Sequence, residues 1–316
     1  MKNSIQQFDI DLVYLWVDGN DKKWIAKKNA FIGKKDIPEA TLEGRFINND
    51  ELRYALRSVQ KYAGWIRKIF IVTDEQTPEW LNTENPNIQV VDIREILPTE
   101  ALPCYNSVVI EYFLYKIPGL SEHFLYSNDD MFLNRPVEPQ HFFDLRGLPI
   151  IRLQRSPLSK QINSLKRLFQ IHTNIYRKTI DFAARLVEKK FNTYYSGTPH
   201  HNIDAYLLSD NRKVVEEVFF NEINLTINNH FRTEKDVQRI IFSYYALAVN
   251  KGILNYVNRN TSCRIRMNYR NFGGFILKYQ PVFFCLNDST KATHEDRLRA
   301  KPFLENLFPE KSDFEK

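Results

Sequence analysis

Apolar residues in the first 130 positions come in short runs broken by polar turns, each run long enough for a strand or one face of a helix. FDIDLVYLWV (8–17) predicts a buried first strand ending at the turn sequence Asp18-Gly19-Asn20-Asp21. Residues 22–47 are basic and polar and read as a surface loop. Asn48 or Asn49 can cap a helix with Asp50 and Glu51 in its first turn, and Leu52, Ala55, Leu56 and Val59 follow at helical spacing. IRKIFIVT (66–73) and residues 88–91 predict the second and third strands, 106–116 a second helix and 123–126 a fourth strand. Later, 213–220, 234–250 and 295–307 read as helical, and 281–286 as a strand.

Strand, helix, strand, strand, helix, strand is the rhythm of an α/β fold, a Rossmann-like (GT-A-like) mixed sheet with helices on both faces. Ligands of such sheets bind beyond the carboxyl ends of the strands. That rule places Asp18 and the turn Asn128-Asp129-Asp130 on one ligand edge. Composition shifts near residue 151. From 151 to 191 there are ten Lys/Arg against Asp181 and Glu188, a net of +8 where the whole chain carries +6. Spaced apolar residues there predict a basic amphipathic helical insertion. The expected organisation is a nucleotide- and metal-binding half (1–150), the insertion (151–191), and a part completing the same catalytic domain (192–316).

Bulk composition changes little: 316 residues, 43% hydrophobic and 26% charged, are ordinary for a globular chain. The positive balance makes an anionic partner plausible. Three cysteines far apart, with no CxxC pair, indicate neither a zinc knuckle nor a disulfide scaffold. The N-terminus lacks a basic-then-apolar leader and no run of about 18 apolar residues occurs. A soluble or peripherally attached protein in a reducing compartment is expected.

Several short stretches can carry chemistry. In FLYSNDDMFL, Asp129 and Asp130 offer hard oxygen ligands for Mg²⁺ or Mn²⁺, although an Asx turn uses the same letters. Asp18 and Gly19 in YLWVDGND can seat a uracil or ribose, or merely form a β-turn. Arg45, Arg53 and Arg57 can grip phosphate or lie on a solvated helix face. His200 and His201 in TPHHNIDAY offer a general base. NHFRTEKD (229–236) and FFCLNDST (283–290) are not diagnostic alone.

Taken together and in order, these stretches resemble the Stealth family of bacterial capsular and cell-wall polysaccharide phosphotransferases. The family also includes the catalytic subunit of the animal lysosomal-enzyme N-acetylglucosamine-1-phosphotransferase. DIDLVYLWVDGND (9–21) is similar to its first region, and RFINNDELRYALRSVQKYAGWIRKIFIVTDEQTPEWLN (45–82) through 102–136 to its second. PHHNIDAY to HFRTEKDVQRIIFSYY resembles the third and FFCLNDS the fourth. The resemblance implies transfer of a sugar-1-phosphate from a UDP-sugar, by preference a UDP-N-acetylhexosamine, to a hydroxyl of a glycan or lipid-linked oligosaccharide acceptor, with UMP leaving. It implies Mg²⁺ or Mn²⁺ on Asp130, completed by Asn287 and Asp288, and catalytic roles for Asp129, Arg232 and one of His200 and His201. Substrate contacts fall to Asp18, Gly19, Arg45, Asn49, Arg53, Asn106 and Asn128. Where several members read His-x-Pro, this chain has Gly197-Thr198-Pro199 and then the two histidines, so both remain candidates for the base. The implied location is the bacterial cytoplasm, with the insertion touching the anionic inner face of the cell membrane or covering the acceptor. A metal-dependent glycosyltransferase releasing UDP is the competing enzyme. A basic glycan- or nucleic-acid-binding module is the non-enzymatic competitor, and no nucleic-acid motif accompanies the charge.

Overall fold

The computed structural model describes residues 8–33, 46–288 and 291–316. In chain order, β1 (Ile10–Leu15), α1 (Lys22–Ile32), α2 (Glu51–Tyr62), β2 (Ile69–Thr73), β3 (Ile88–Asp92), α3 (Ile93–Ile96), α4 (Ser107–Tyr112), β4 (His123–Asn128) and β5 (Met131–Leu133) build the first part. Next come β6 (Ile150–Gln154), α5 (Ser159–Leu168), α6 (Ile175–Phe191), β7 (Thr198–Pro199), β8 (Asp204–Leu207), α7 (Leu208–Lys213), α8 (Phe220–Asn224) and α9 (Ile240–Ala248). β9 (Ile253–Tyr256), β10 (Ser262–Arg266), α10 (Phe272–Tyr279), β11 (Phe283–Asn287), α11 (His294–Leu298) and α12 (Ala300–Leu307) finish it.

The central sheet has the order β3-β2-β1-β4-β8. β1, β2, β3 and β4 run parallel, and β8 is antiparallel at the edge. β1 reads as an almost unbroken apolar run because both of its faces are covered. Val13, Phe70, Val72, Phe124 and Tyr126 face one core with residues of α4, α6 and α9. Leu12, Tyr14, Ile69, Ile71 and Leu125 alternate to the other, against α2 and a second sheet of order β10-β11-β5. A mixed sheet covered by helices on both faces is the fold expected from the sequence. Asp11, fully buried in β1, is neutralised by Arg67, whose Nε and Nη2 donate to it at 2.8 and 2.5 Å, while the amide of Ser121 donates at 2.7 Å.

Two departures have local causes. Residues 22–32 are a helix where the sequence reads as loop. Asp21 caps it by accepting from the Lys23 amide at 2.8 Å. Trp24 is buried, with its indole N–H on Asp74 at 2.9 Å. One tryptophan supplies the anchor that periodicity does not reveal. The small sheet β7-β6-β9 and strands β8 and β10 also escape the sequence pattern, being only two to five residues long. The basic stretch does form two helices, α5 and α6.

Candidate active site

The register of β1 against β4 brings Leu15 opposite Asn128, so the Asp18 turn and the Asp129-Asp130 turn leave the sheet at the same edge. β5 then returns beside β11, with Met131 opposite Cys285. That pairing sets the Cys285 thiol against Asp130, whose Oδ2 accepts from it at 3.0 Å. His201, in the loop before β8, brings Nδ1 to 3.3 Å from the same sulfur. Among the described residues, Asp130, His201 and Cys285 form the group of acid, imidazole and thiol atoms that lie within 4.8 Å of one another. Asp130 Oδ1 is buried and has no hydrogen-bond partner.

A third acid completes the cluster. Glu51, at the start of α2, is 4% exposed, and its two oxygens accept from the Asn49 amide and the Asn49 side chain, both at 2.7 Å. Burial, and then the charge of Asp129, raise Glu51 to about 7. Burial and the adjacent Asp130 raise Asp129 to about 7. Burial raises Asp130 to about 6, with Glu51 adding to the rise while the thiol of Cys285 opposes it. Three desolvated acids that resist joint ionisation, one with an orphaned oxygen, fit a hard divalent cation. Burial pushes the Cys285 thiol well above its ordinary value, so sulfur serves as a hydrogen-bond donor to Asp130 and not as a soft thiolate ligand.

His200 is oriented differently. The one hydroxyl proton of Ser262 goes to the His201 carbonyl at 2.6 Å, so His200 Nδ1 must donate to Ser262 Oγ at 3.1 Å. That fixes the tautomer and leaves Nε2 with a lone pair. Burial lowers the pKa of His200 and brings that of His201 down to about 3, so both rings are neutral near pH 7.

Two hollows lie nearby, one against the histidines and one against Arg239. One of about 270 Å³ is lined by His200, His201, Arg264, Tyr269 and Phe275 among others. The second, about 230 Å³, is lined by Glu111, Arg232, Thr233, Asp236 and Arg239. Tyr176 belongs to both walls. Arg239 donates to Asp204 Oδ2 at 3.1 and 3.3 Å and to Glu111 Oε1 at 3.3 Å, with its guanidinium over the Tyr126 ring at 4.9 Å. The Tyr126 hydroxyl contacts Glu111 and Asn128 Oδ1, which joins this network to the acidic turn.

The residues expected from the sequence therefore have distinct places. Asp130, beside Asp129, comes together with His201. His200, the preceding residue, is held on Ser262, Asn128 is reached by the Tyr126 hydroxyl, and Arg232 donates to Ser107 Oγ on the wall of the smaller hollow. Gly19 donates its N–H to Phe46 O at 2.8 Å, and a Cβ there would meet that oxygen at 1.9 Å, so close approach demands the glycine. Asp18 has its backbone read by Gln76, and its carboxylate accepts from the Asn20 amide. Asn49 holds Glu51. Asn106 is fully buried, capping α4 and donating to Asn229 O and Asp236 at 3.0 and 2.9 Å, so it positions the 229–236 loop. Arg53 pairs with Asp50 at 3.3 Å and lies over Trp80, turned toward Glu315. Asn287 ends β11, with its carbonyl accepting from Met267 N, and the carboxylate of Asp288 is paired with Arg297 at 2.7 Å. Arg45 lies outside the described residues.

Glu51, Glu111, Asp204 and Arg239 escape the sequence reading. Glu51 looked like a favourable acid at a helix start. Arg239 did carry a signal: a cation immediately before α9 opposes the helix dipole, so another demand must place it there.

The chain matches the Stealth protein conserved region 1 over residues 8–36 and conserved region 2 over residues 45–151. It is 34% identical to an exopolysaccharide phosphotransferase of Streptomyces coelicolor, over 98% of this chain and 52% of that protein. It is 33% identical to the capsular polysaccharide phosphotransferase SacB of Neisseria meningitidis serogroup A, over 98% of this chain and 57% of that one. The chain thus spans about half the length of the curated relatives it matches. Among solved structures, galactosyltransferase LgtC with donor and acceptor sugar analogues aligns at 10% identity and TM-score 0.47, covering 96% of each chain. Among the described residues no helix is long and apolar enough to cross a membrane. With both conserved regions present and relatives of this kind matching along nearly all its residues, the chain is a member of the Stealth family.

Proposed function

We propose that the chain transfers a sugar-1-phosphate from a UDP-sugar, by preference a UDP-N-acetylhexosamine, to a hydroxyl of an acceptor glycan in bacterial capsule or exopolysaccharide synthesis. The observation that carries this reading is the cluster of the acids Glu51, Asp129 and Asp130 with His201 and Cys285, next in the chain to His200, whose Nε2 keeps a lone pair and which lines one of two hollows that hold arginines. Relatives named as phosphotransferases support the same reaction class.

Asp129 and Asp130 would hold Mg²⁺ or Mn²⁺, which supplies charge neutralisation for the diphosphate. The acceptor oxygen attacks the β-phosphorus while its proton passes to His200 Nε2. The bond from that phosphorus to the bridging oxygen breaks, and the oxygen leaves with UMP. Arg232 and Arg239, on the wall of the smaller hollow, stabilise the phosphoryl oxygens as charge shifts toward the leaving group. Ser262 keeps the His200 ring in its tautomer, and Cys285 holds Asp130 in place by its S–H. Glu51 and the Asp18 turn line the nucleotide side.

The deciding assay incubates the protein with a UDP-N-acetylhexosamine, Mg²⁺ and acceptor glycan and identifies the nucleotide released. UMP is expected, and His200→Gln should lower turnover by about 10²–10⁴-fold. Release of UDP would move the reaction to glycosyl transfer, and undiminished turnover in His200→Gln would remove that ring from the base role.

A further inference from the structure

We propose that α5 is an interfacial helix that seats the protein on an anionic lipid surface. Its amphipathicity is inverted. Toward the protein it presents polar groups: Ser159 Oγ donates to Ser196 O at 3.0 Å, Asn163 donates to Asp181 at 3.2 Å, Lys160 pairs with Glu188, and Arg167 pairs with Asp181. Toward solvent it presents Leu158, Ile162, Leu165 and Phe169, spaced to fall on one arc of the helix, with Leu168 at the margin. These five are 60%, 45%, 54%, 67% and 72% exposed, and no residue of α5 is buried. A water-facing helix hides such a stripe, whereas this one displays it.

Charge selects the occupant. Residues 151–180 contain seven Lys/Arg and no Asp or Glu. Arg152 is buried, and Lys160, Arg167 and Lys178 pair with Glu188, Asp181 and Glu234, which leaves Arg155, Lys166 and Arg177 to carry the charge of this face. Lys166, half-buried, borders the stripe by its helical spacing, and Arg155 is exposed just ahead of the helix. An apolar stripe bordered by cations matches acyl chains beneath anionic headgroups. A second copy of this chain would bring the same positive border and repel it. The site's position fits this arrangement: Tyr176, seven residues beyond Phe169 in the same hairpin, lines both hollows. An acceptor carried on a lipid would then meet the hollows where the protein touches the surface.

The test needs no turnover, so it stands or falls separately from the proposed reaction. The full chain is sedimented with vesicles of phosphatidylcholine alone and with vesicles in which one lipid in three is phosphatidylglycerol, at low and raised salt. Sedimentation is expected with the anionic vesicles, about tenfold weaker or more with phosphatidylcholine alone, and reduced by salt. The Leu165→Glu/Phe169→Glu double variant, which alters only exposed side chains, should lose it while keeping the parent melting temperature. Lys166→Glu should weaken it independently. Three results would overturn the proposal: no sedimentation with anionic vesicles, equal sedimentation of the double variant, or a lipid-free doubling of mass that the double variant abolishes. The last would assign the face to a second copy.

Discussion

Asp129→Asn tests the electrostatic account of the acidic cluster directly. In the folded chain without a metal, burial and Asp130 move Asp129 from its ordinary 3.8 to about 7. A rise of roughly three pH units, at about 1.4 kcal/mol each, is a penalty of about 4 kcal/mol when the group is fully ionised. An acid whose folded pKa lies above its unfolded pKa binds more protons when folded. Stability therefore falls as pH rises between the two values, and the penalty is complete above about 7. Near pH 4.5 only about 1 kcal/mol has accrued. Asn keeps the shape and removes the charge. Its effect is therefore a gain of about 2–4 kcal/mol near pH 8, the lower figure applying if Glu51 and Asp130 ionise more fully once their neighbour is neutral, and about 1 kcal/mol or less near pH 4.5. Urea unfolding in EDTA at the two pH values measures both. Adding Mg²⁺ near pH 8 should raise the midpoint of the parent and move the variant much less. A variant no more stable than the parent near pH 8 would refute the claim that these acids oppose one another across a desolvated gap.

Two further predictions concern stability. Arg239→Met leaves Glu111 and Asp204 without their shared cation and should cost about 3–5 kcal/mol. Thermal melting reads the loss, and adding Glu111→Gln should recover part of it; a change under about 1 kcal/mol would mean that water already neutralises the pair. Gly19→Ala drives a Cβ against the Phe46 carbonyl and should cost about 1–3 kcal/mol in chemical unfolding. An unchanged midpoint would show that the 46–50 segment yields freely.

The parallel strands were legible because β1, β2 and β4 are buried on both faces and read as continuous apolar runs. α2 was legible from its stripe, Leu52, Ala55, Leu56 and Val59. The acidic turn was legible because the order of strands, with the ligand-edge rule, needs no side-chain detail. What stayed hidden depends on contacts between distant segments. Cys285 reads as a lone buried thiol until β5 and β11 pair, and Arg239 becomes part of the site only when α9 packs under β4 and β8. Asn106 shows partners that its position in the chain does not reveal. Its place among family positions suggested substrate contact, but its amide is spent on Asn229 and Asp236, so its effect on any ligand passes through the loop it holds. The tautomer that leaves His200 Nε2 a lone pair follows from one hydroxyl proton at Ser262, which no spacing in the chain encodes.

The α5–α6 hairpin has a consequence for how the chain could be divided. Gln170 to Asn174 is an exposed connection between two helices, the kind of segment where a protease cuts or an insertion is accepted. A break there leaves one fragment with Glu51, Asp129 and Asp130 and another with His200, His201, Arg239 and Cys285. The two would still be joined through β4 to β8, β5 to β11, and β6 to β7 and β9. Neither fragment holds a complete site, and each supplies strands that the other lacks. The fold is thus suited to complementation, in which two separately expressed halves bring the candidate residues together only on meeting.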